Sequence, residues 1–259
     1  MPELPVCGAL GEPFNELDTV DSTNNYALSK AYAGLTRHGE VFFAREQELG
    51  KGQRGKTWAA TPGSSILMSI VIQPEIPPHQ QFHLSAAIAV AVAEAFSNWA
   101  GDATRIKWPN DIYWHDRKAG GILIENIIRS GLNGEAQWRF AIAGIGINLN
   151  QSSFPENLSN PVSLLQITGS QSDPVKFAKE ICEVVNETYT ELCRRGPERI
   201  LKTYNDRLYS KDQVYIFRQG NRRFEATVKA VTSEGRLVLE HAIIEEFGWG
   251  EIEWLEPKK

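Results

Sequence analysis

The residues best suited to chemistry stand together in the run Gly50-Lys51-Gly52-Gln53-Arg54-Gly55-Lys56-Thr57-Trp58. Three glycines let backbone N–H groups crowd against a ligand, three cations attract an anion, and Trp58 ends the run with a large apolar plate. Glycine is poor in helix and strand, and the charges have no periodic apolar partner, so the run predicts a mobile loop that orders on a phosphate. Gly50 to Thr57 also fits G-x-x-x-x-G-K-[ST], the phosphate-binding loop pattern of many nucleoside triphosphatases. That pattern needs a buried strand running into the first glycine and a helix opening at the lysine. Here a polar stretch, Ala44-Arg45-Glu46-Gln47-Glu48-Leu49, comes first, and Pro62-Gly63 would break a helix within two turns. The context argues against that pattern. A solvated Gly/Lys turn with no ligand is the bland alternative.

Four further clusters could serve the same site. Lys118 ends the polar turn His115-Asp116-Arg117-Lys118, ahead of Ala119-Gly120-Gly121 and an apolar strand at Ile122-Leu123-Ile124. Taken alone, it is an exposed turn lysine. Lys107-Trp108-Pro109-Asn110-Asp111 reads as a strand that Pro109 demotes to an edge or a bulge. Gly144 and Gly146 lie inside a strand over 139–149, where glycine permits the close approach of a ligand or another backbone. Pairing of these two glycine-punctured strands would form one floor of a pocket. Asp21-Ser22-Thr23-Asn24 reads as the capping cluster of a helix, whose hydroxyl and N–H groups can also hold a polar ligand. His79 and His83 have the i, i+4 spacing of a metal pair. With Pro77-Pro78 just before them and no carboxylate or cysteine near, they mark a helix start, and no metal site is expected.

The elements that must position these groups follow from periodicity. Residues 1–17 are the lead-in to the main domain, irregular and Pro/Gly-rich over 1–13, and Asn15 to Val20 is a short strand. A helix carries Tyr26, Ala27, Ala31 and Leu35 at helical spacing. Val41 to Ala44 is a strand leading to the Gly-rich loop, and Ser65 to Gln73 is a buried one. Gln81 to Trp99 is a helix apolar nearly all round, so it packs inside. Asn133-Gly134 signals a hairpin. Asp173-Pro174 starts a helix that ends at Gly196, and another follows to about Leu208. From Lys211 onward the pattern changes to short strands at 214–217, 224–231, 236–240 and 251–254, a small all-β unit that docks on the main domain.

Composition bounds the rest. A chain of 259 residues with 42% hydrophobic and 23% charged side chains can bury a large core. Net charge of −5 gives no general attraction to nucleic acid or anionic membrane, so any phosphate chemistry needs a local cationic patch. Cys7, Cys182 and Cys193 are odd in number and lack C-x-x-C spacing, which favours a reduced cytoplasm. The first residues lack the basic and apolar regions of a signal peptide, and the most apolar segment, Leu84 to Phe96, is too short to span a bilayer.

Taken in order, Ser22-Thr23-Asn24, Gln47 with the Gly50–Trp58 loop, Lys107 to Asp111, Asp116-Arg117-Lys118 with Gly120-Gly121, and Gly144 to Asn148 resemble the biotin protein ligases, the biotin–[acetyl-CoA-carboxylase] ligase family. The resemblance covers roughly residues 18–259. It implies an α+β fold: a mixed β-sheet with helices mainly on one side over 18–210, and an SH3-like barrel over 211–259. It implies that Ser22, Thr23, Asn24, Gln47, Lys51, Gly52, Gln53, Lys118, Gly121 and Gly144 lie on the biotin side. Trp58, Asn110, Asp111 and Asn148 match the nucleotide side, and Lys118 and Arg54 are the catalytic cations. Some members have Arg where this chain has Lys51 and Gln53; Lys51 keeps the charge without the bidentate fork, and Gln53 loses it. The implied ligands are ATP, biotin and Mg²⁺, and the implied partner is the acceptor lysine of a biotin carboxyl carrier protein, with a homodimer left open. Members that also repress transcription carry a winged helix ahead of the ligase domain, for which 1–17 is too short, so a ligase without DNA binding is expected.

The implied chemistry suits the residues. Joining a carboxylate to a lysine needs an activated carboxylate, and the anionic carboxylate and α-phosphate meet only with cations beside them. An acyl-adenylate is labile in water, which gives a closing loop a purpose. A lipoate ligase on the same scaffold is the rival enzyme, though the loop and the C-terminal strands argue against it. A binding module would not need the loop and Lys118 together.

Overall fold

The computed structural model describes residues 8–130, 134–158 and 160–257. Two sheets organise it. The larger has seven strands: β1 (Phe14–Val20), β2 (Val41–Gln47), β3 (Ser65–Ile72), β4 (Thr104–Lys107), β5 (Asp111–Trp114), β6 (Arg117–Ser130) and β7 (Ala136–Asn148). Their spatial order is β1-β2-β3-β7-β6-β5-β4, with β1 and β2 parallel and every other pair antiparallel. Both faces of β3 are buried, which explains its unbroken apolar sequence. Its alternation decides the architecture. Ile66, Met68, Ile70 and Ile72 join the main core with α2 (Gln81–Ala100) and α4 (Pro174–Arg195), whereas Val71 packs under α1 (Thr23–Ala33) on the opposite face.

Helix α2 is apolar nearly all round because α4 and α5 (Glu198–Asp206) cover it. Asp173 caps α4 by accepting from the N–H groups of Val175 and Lys176, a contact of the kind worth about 1 kcal/mol. Helix α1 ends at Gly34, whose φ of 70° is the left-handed conformation of a helix C-terminus. It covers only part of its face of the sheet, resting on Phe42, Val71, Ile127, Phe140 and Ile142. Beyond its N-terminus that face is left open, and there the cleft forms.

The smaller sheet contains β8 (Val214–Gln219), β9 (Arg222–Val231), β10 (Leu237–Glu240), β11 (Ile244–Phe247) and β12 (Glu253–Pro257), antiparallel in the order β11-β10-β9-β8-β12. Among the described residues β11 and β12 remain edges, so the expected barrel is a five-stranded antiparallel sheet and is not closed. Strand β11 was not legible because Ile244-Glu245-Glu246-Phe247 does not alternate and Ile243 and Ile244 are both exposed. A one-turn helix, α3 (Leu164–Thr168), is likewise additional; the Ser163 hydroxyl caps it from within the buried interior.

Three expectations need correction. The Lys107–Asp111 segment is not one strand, although β4 does lie at the sheet edge, one of the two places the proline allowed. Lys107 pairs with Asp111, so β4 and β5 are a hairpin whose tip is Trp108-Pro109-Asn110. Trp108 Nε1 donates to Gly235 O at 3.0 Å and Tyr204 Oη to Pro109 O at 2.7 Å, fixing the tip from two sides. Lys118 is not in a turn but on β6, opposite Tyr113, with its N–H and C=O bonded to 160–162. Ser22 occupies the N-cap of α1 without capping it, since its side chain accepts no helix N–H. Gln47 takes that place, its Oε1 accepting from Thr23 N at 2.8 Å. The Asn133-Gly134 signal lies partly outside the described residues; on either side, Ser130 pairs with Ala136.

Candidate active site

The open part of the α1 face is floored by β3, β6 and β7 and walled by the 50–58 loop, the β4–β5 tip and the 249–254 segment of the small sheet. The cleft encloses about 810 Å³, within the roughly 300–1,000 Å³ of small-molecule sites. Its lining includes Ser22, Thr23, Asn24, Gln47, Lys51, Gly52, Gln53, Arg54, Trp58, Asp111, Lys118, Gly121, Gly144 and Asn148. Of the residues that the resemblance assigns to the biotin side, the nucleotide side or catalysis, Asn110 alone does not line it. Its amide is buried beneath the turn and donates to Ile122 O, so it holds the tip to β6.

The floor is a chain of hydrogen-bonding groups, neutral from Gln47 to Asn24 and ending on the Glu125 carboxylate. Ser69 Oγ, fully buried on β3, lies 2.6 Å from Asn24 Oδ1 and 2.8 Å from Thr23 Oγ1. A hydroxyl carries one proton, and Asn24 Oδ1 has none to give, so Ser69 donates to Asn24. The Asn24 amide is oriented by its other end, where Nδ2 donates to Glu125 Oε2 at 2.8 Å and to Leu123 O at 3.2 Å. Glu125 in turn faces Lys51 Nζ at 3.5 Å. Thr23 Oγ1 reaches Gln47 Oε1 at 3.0 Å. Glycine is required where this chain approaches the sheet: a Cβ on Gly144 would meet Asn24 Oδ1 at 2.3 Å. Ser69 and Glu125 were missed in the sequence, although Ser69 is a polar interruption within Ile66–Ile72.

The other half of the cleft is cationic and aromatic. Trp58 lies flat against the sheet, and a Cβ on Gly146 would come within 2.7 Å of its ring. Lys118 Nζ stands 5.8 Å from the Trp58 ring centroid and 2.8 Å from Asp111 Oδ1. Lys56 and Lys107 complete a group of three lysines along this wall. Burial pushes the Lys107 ammonium down to about 8, against the opposing pull of Asp111, and Lys118 and Lys56 lower it further. The indole N–H groups of Trp58 and Trp254, both on lining residues, have no acceptor among the described residues.

The loop is a folded hairpin. Lys51 bridges Thr57, Gly52 N donates to Lys56 O at 2.6 Å, Trp58 N donates to Gly50 O at 2.8 Å, and 53–55 make a single 3-10 turn with Arg54 at φ 55°. No α-helix opens at Lys56; β3 is the next regular element, so the phosphate-loop pattern of the triphosphatases fails on structure as well as on sequence. Arg54 leans on the small sheet, its Nη2 donating to Gly250 O at 3.0 Å and its guanidinium 5.1 Å from the Trp249 ring centroid. His79 and His83 make no metal cluster; the described residues contain no group of three His, Cys, Asp or Glu side chains placed to hold a metal ion. No helix among them is long and apolar enough to cross a membrane.

Comparison with known proteins agrees with this geometry. The model of the biotin/lipoate A/B protein ligase family matches residues 16–139. The biotin–[acetyl-CoA-carboxylase] ligase of Paracoccus denitrificans is 30% identical over 230 residues, 86% of this chain and 92% of that protein. The bifunctional ligase/repressor BirA of Bacillus subtilis is 30% identical over 226 residues, 86% of this chain and 68% of that protein. In structure, the biotin protein ligase of Aquifex aeolicus solved with biotin and ATP superposes with a TM-score of 0.79 at 20% identity, over 95% of this chain and 99% of that one. With a cleft built from all five motifs and relatives matched over most of their length, the chain belongs to the biotin protein ligases of the biotin/lipoate A/B protein ligase family.

Proposed function

We propose that the protein joins biotin to ATP, forming biotinyl-5′-AMP and pyrophosphate, and then passes the biotinyl group to a lysine of the biotin carboxyl carrier protein of acetyl-CoA carboxylase. The observation that carries this reading is the meeting, in one cleft, of a floor of mutually oriented hydrogen-bonding groups with a wall of three lysines. A ureido ring offers two N–H donors and one carbonyl acceptor. Side chains at Ser22, Thr23, Asn24 and Gln47 supply acceptors and donors of matching kind, already oriented by Ser69 and Glu125.

In the first step a carboxylate oxygen of biotin forms a bond to the α-phosphorus, and the bond from that phosphorus to the bridging oxygen of pyrophosphate breaks. Negative charge accumulates where two anions meet, and Lys118 is placed to bear it, its ammonium already oriented by Asp111. Lys107 and Lys56 on the same wall add positive potential, and Mg²⁺ would arrive on the nucleotide phosphates. In the second step the acceptor amine attacks the activated carbonyl, AMP leaves, and the amine loses its proton. The folded 50–58 hairpin keeps water from the mixed anhydride between the two steps. The same reading places the protein in the cytoplasm.

Pyrophosphate release decides the matter. Release that depends on biotin, with little or none on lipoate, supports the reading; equal or greater release with lipoate overturns it in favour of the lipoate-ligase alternative.

A further inference from the structure

Lys107 has surroundings that the two-step reaction alone does not explain. Its Nζ lies 4.8 Å from the ring centroid of Tyr113, 5.4 Å from Tyr209, 5.9 Å from Tyr215 and 5.2 Å from Trp254. Four rings on four separate segments thus surround one ammonium. Tyr113 belongs to β5, Tyr209 to the crossing between the two units, Tyr215 to β8 and Trp254 to β12. The rings support one another, Tyr215 and Trp254 at 5.1 Å and Tyr113 and Tyr209 at 5.0 Å. Tyr209 is tied down further, its hydroxyl donating to Asp116 Oδ1 at 2.9 Å. The rings stand about the Lys107 ammonium, while the residue still lines the cleft.

We infer that Trp254, with Tyr215 beside it, is a positioning residue: the small sheet holds the Lys107 ammonium at the cleft wall as a cation stripped of much of its water. This rests on the reading of the cleft as an adenylating site. An ammonium in water must shed its shell before it can meet an anionic oxygen. In the cage the faces of the rings replace part of that shell, and the cost of removing the rest is met when the chain folds. Among the described residues, the one polar side-chain contact of Lys107 is the Tyr113 hydroxyl at 3.4 Å. The small sheet is then part of the active site through its aromatic residues.

The charged and titratable groups around the cage fix the pH behaviour. Asp111 and Asp116 favour the charged amine; Lys118 on β6 and Lys56 on the loop oppose it. Tyr113 and Tyr209 remain protonated, both held above the ordinary phenol range by burial, and Tyr215 is buried beside them. Glu253 on β12 is paired with Arg218. Desolvation outweighs the rest, so Lys107 is charged below about 8 and neutral above it. Replacing Trp254 with alanine admits water, which stabilises the ammonium more than the indole face does, so the titration moves up.

The full chain and its variants Trp254→Ala, Trp254→Phe and Tyr215→Leu test this with two readouts. The first is NMR titration of lysine side chains, with Lys107 assigned through Lys107→Arg, and it needs no activity. The parent titrates near 8; Trp254→Ala moves up by about one unit, and Trp254→Phe stays with the parent. The second is steady-state pyrophosphate release. Trp254→Ala raises the KM for ATP roughly threefold to tenfold, because the rehydrated ammonium must again shed water on meeting the phosphates, and leaves the KM for biotin in place. Its alkaline limb of kcat/KM for ATP moves up with the titration. If Trp254→Ala does not fold, Tyr215→Leu carries the same expectations. A parent Lys107 titrating at the ordinary lysine value overturns the inference, as does an unmoved ATP KM and alkaline limb, or a Trp254→Phe that behaves as Trp254→Ala. A parent without biotin-dependent release sinks the adenylating reading instead, and the NMR titration still decides whether the cage exists.

Discussion

The two halves of the cleft are built by opposite means. The floor, from Gln47 through Thr23, Ser69 and Asn24 to Glu125, consists of buried or half-buried groups that satisfy one another on a rigid sheet. The wall, from Lys56 and Lys118 to Lys107 and Arg54, places cations against aromatic faces and depends on the loop and the small sheet. A network of short, oriented hydrogen bonds discriminates by geometry, because a misplaced donor leaves a buried acceptor unpaired. A set of cations near rings attracts any phosphate and gains its selectivity from where it holds the reacting atom. Recognition of the acid and activation of the acid are thereby separated in space.

The largest break in that separation is Lys118→Ala. Loss of one charge-stabilising donor at the reacting phosphate costs about 2.7–4 kcal/mol, a hundredfold to a thousandfold in the rate of adenylate formation. Lys118 and Asp111 are each about one third exposed, 32% and 32%, so their pairing adds little to stability. Single-turnover adenylation should collapse while the melting temperature moves little and the affinity for biotin is kept. A parallel loss of biotin affinity would mean that the two halves are not separate.

The floor is broken by Gly144→Ala. The new methyl would stand 2.3 Å from Asn24 Oδ1, so Asn24 must move and with it the bond from Ser69. The KM for biotin should rise about tenfold, equivalent to about 1.4 kcal/mol, with the KM for ATP unchanged. Ser69→Ala should act in the same direction and more weakly, since it removes a donor without adding bulk.

The two halves also differ in how far the sequence revealed them. Lines of glycine in Gly120-Gly121 and Gly144–Gly146 announced a close-packed floor, and the ordered motifs announced the family. Ser69 was visible as a polar residue in an apolar strand, but nothing local says which face a residue of a doubly buried strand presents. Lys118 read as a turn lysine because Asp116-Arg117 are polar, whereas pairing with Tyr113 and bonds to 160–162 make it a strand residue. The Lys107 cage was invisible for a deeper reason. Its rings are drawn from positions 113, 209, 215 and 254, and only tertiary structure brings them together. Composition said that Trp and Tyr were present, and it could not say that four of them share one ammonium.

A smaller effect sharpens the contrast at the loop. Gly50 and Gly52 look equivalent in sequence, yet a Cβ on Gly50 would lie 2.4 Å from Trp58 O and one on Gly52 would lie 3.2 Å from Lys56 O. Gly52 has φ −114° and ψ −178°, an extended backbone open to any residue. Gly50→Ala should therefore spread the hairpin and raise the ratio of released to transferred adenylate several-fold, by about 1 kcal/mol of weakened closure. Gly52→Ala should stay near the parent. Chromatographic measurement of free and transferred biotin from one reaction checks both, and equal leakage from the two variants would show that the Gly50 contact does not hold the lid.

The smallest expected effect concerns Arg54, because its contacts lie at the rim. Its guanidinium donates to Gly250 O at 3.0 Å and stacks 5.1 Å from Trp249, a ring that is itself 50% exposed. Exposed cation–π contacts are worth about 0.5–1 kcal/mol, and a solvent-accessible hydrogen bond adds little more. Arg54→Ala should consequently leave the melting temperature and the KM for biotin within error of the parent. What it removes is the tie between loop and small sheet, so limited proteolysis within 50–57 should speed up by roughly twofold to fivefold. Arg54→Lys should recover only part of the protection, since an ammonium can reach the carbonyl but lacks the flat face that stacks on the indole. A rate of adenylate formation that falls as far in Arg54→Ala as in Lys118→Ala would move Arg54 from the rim to the reacting phosphate, and the wall would then have two catalytic cations in place of one.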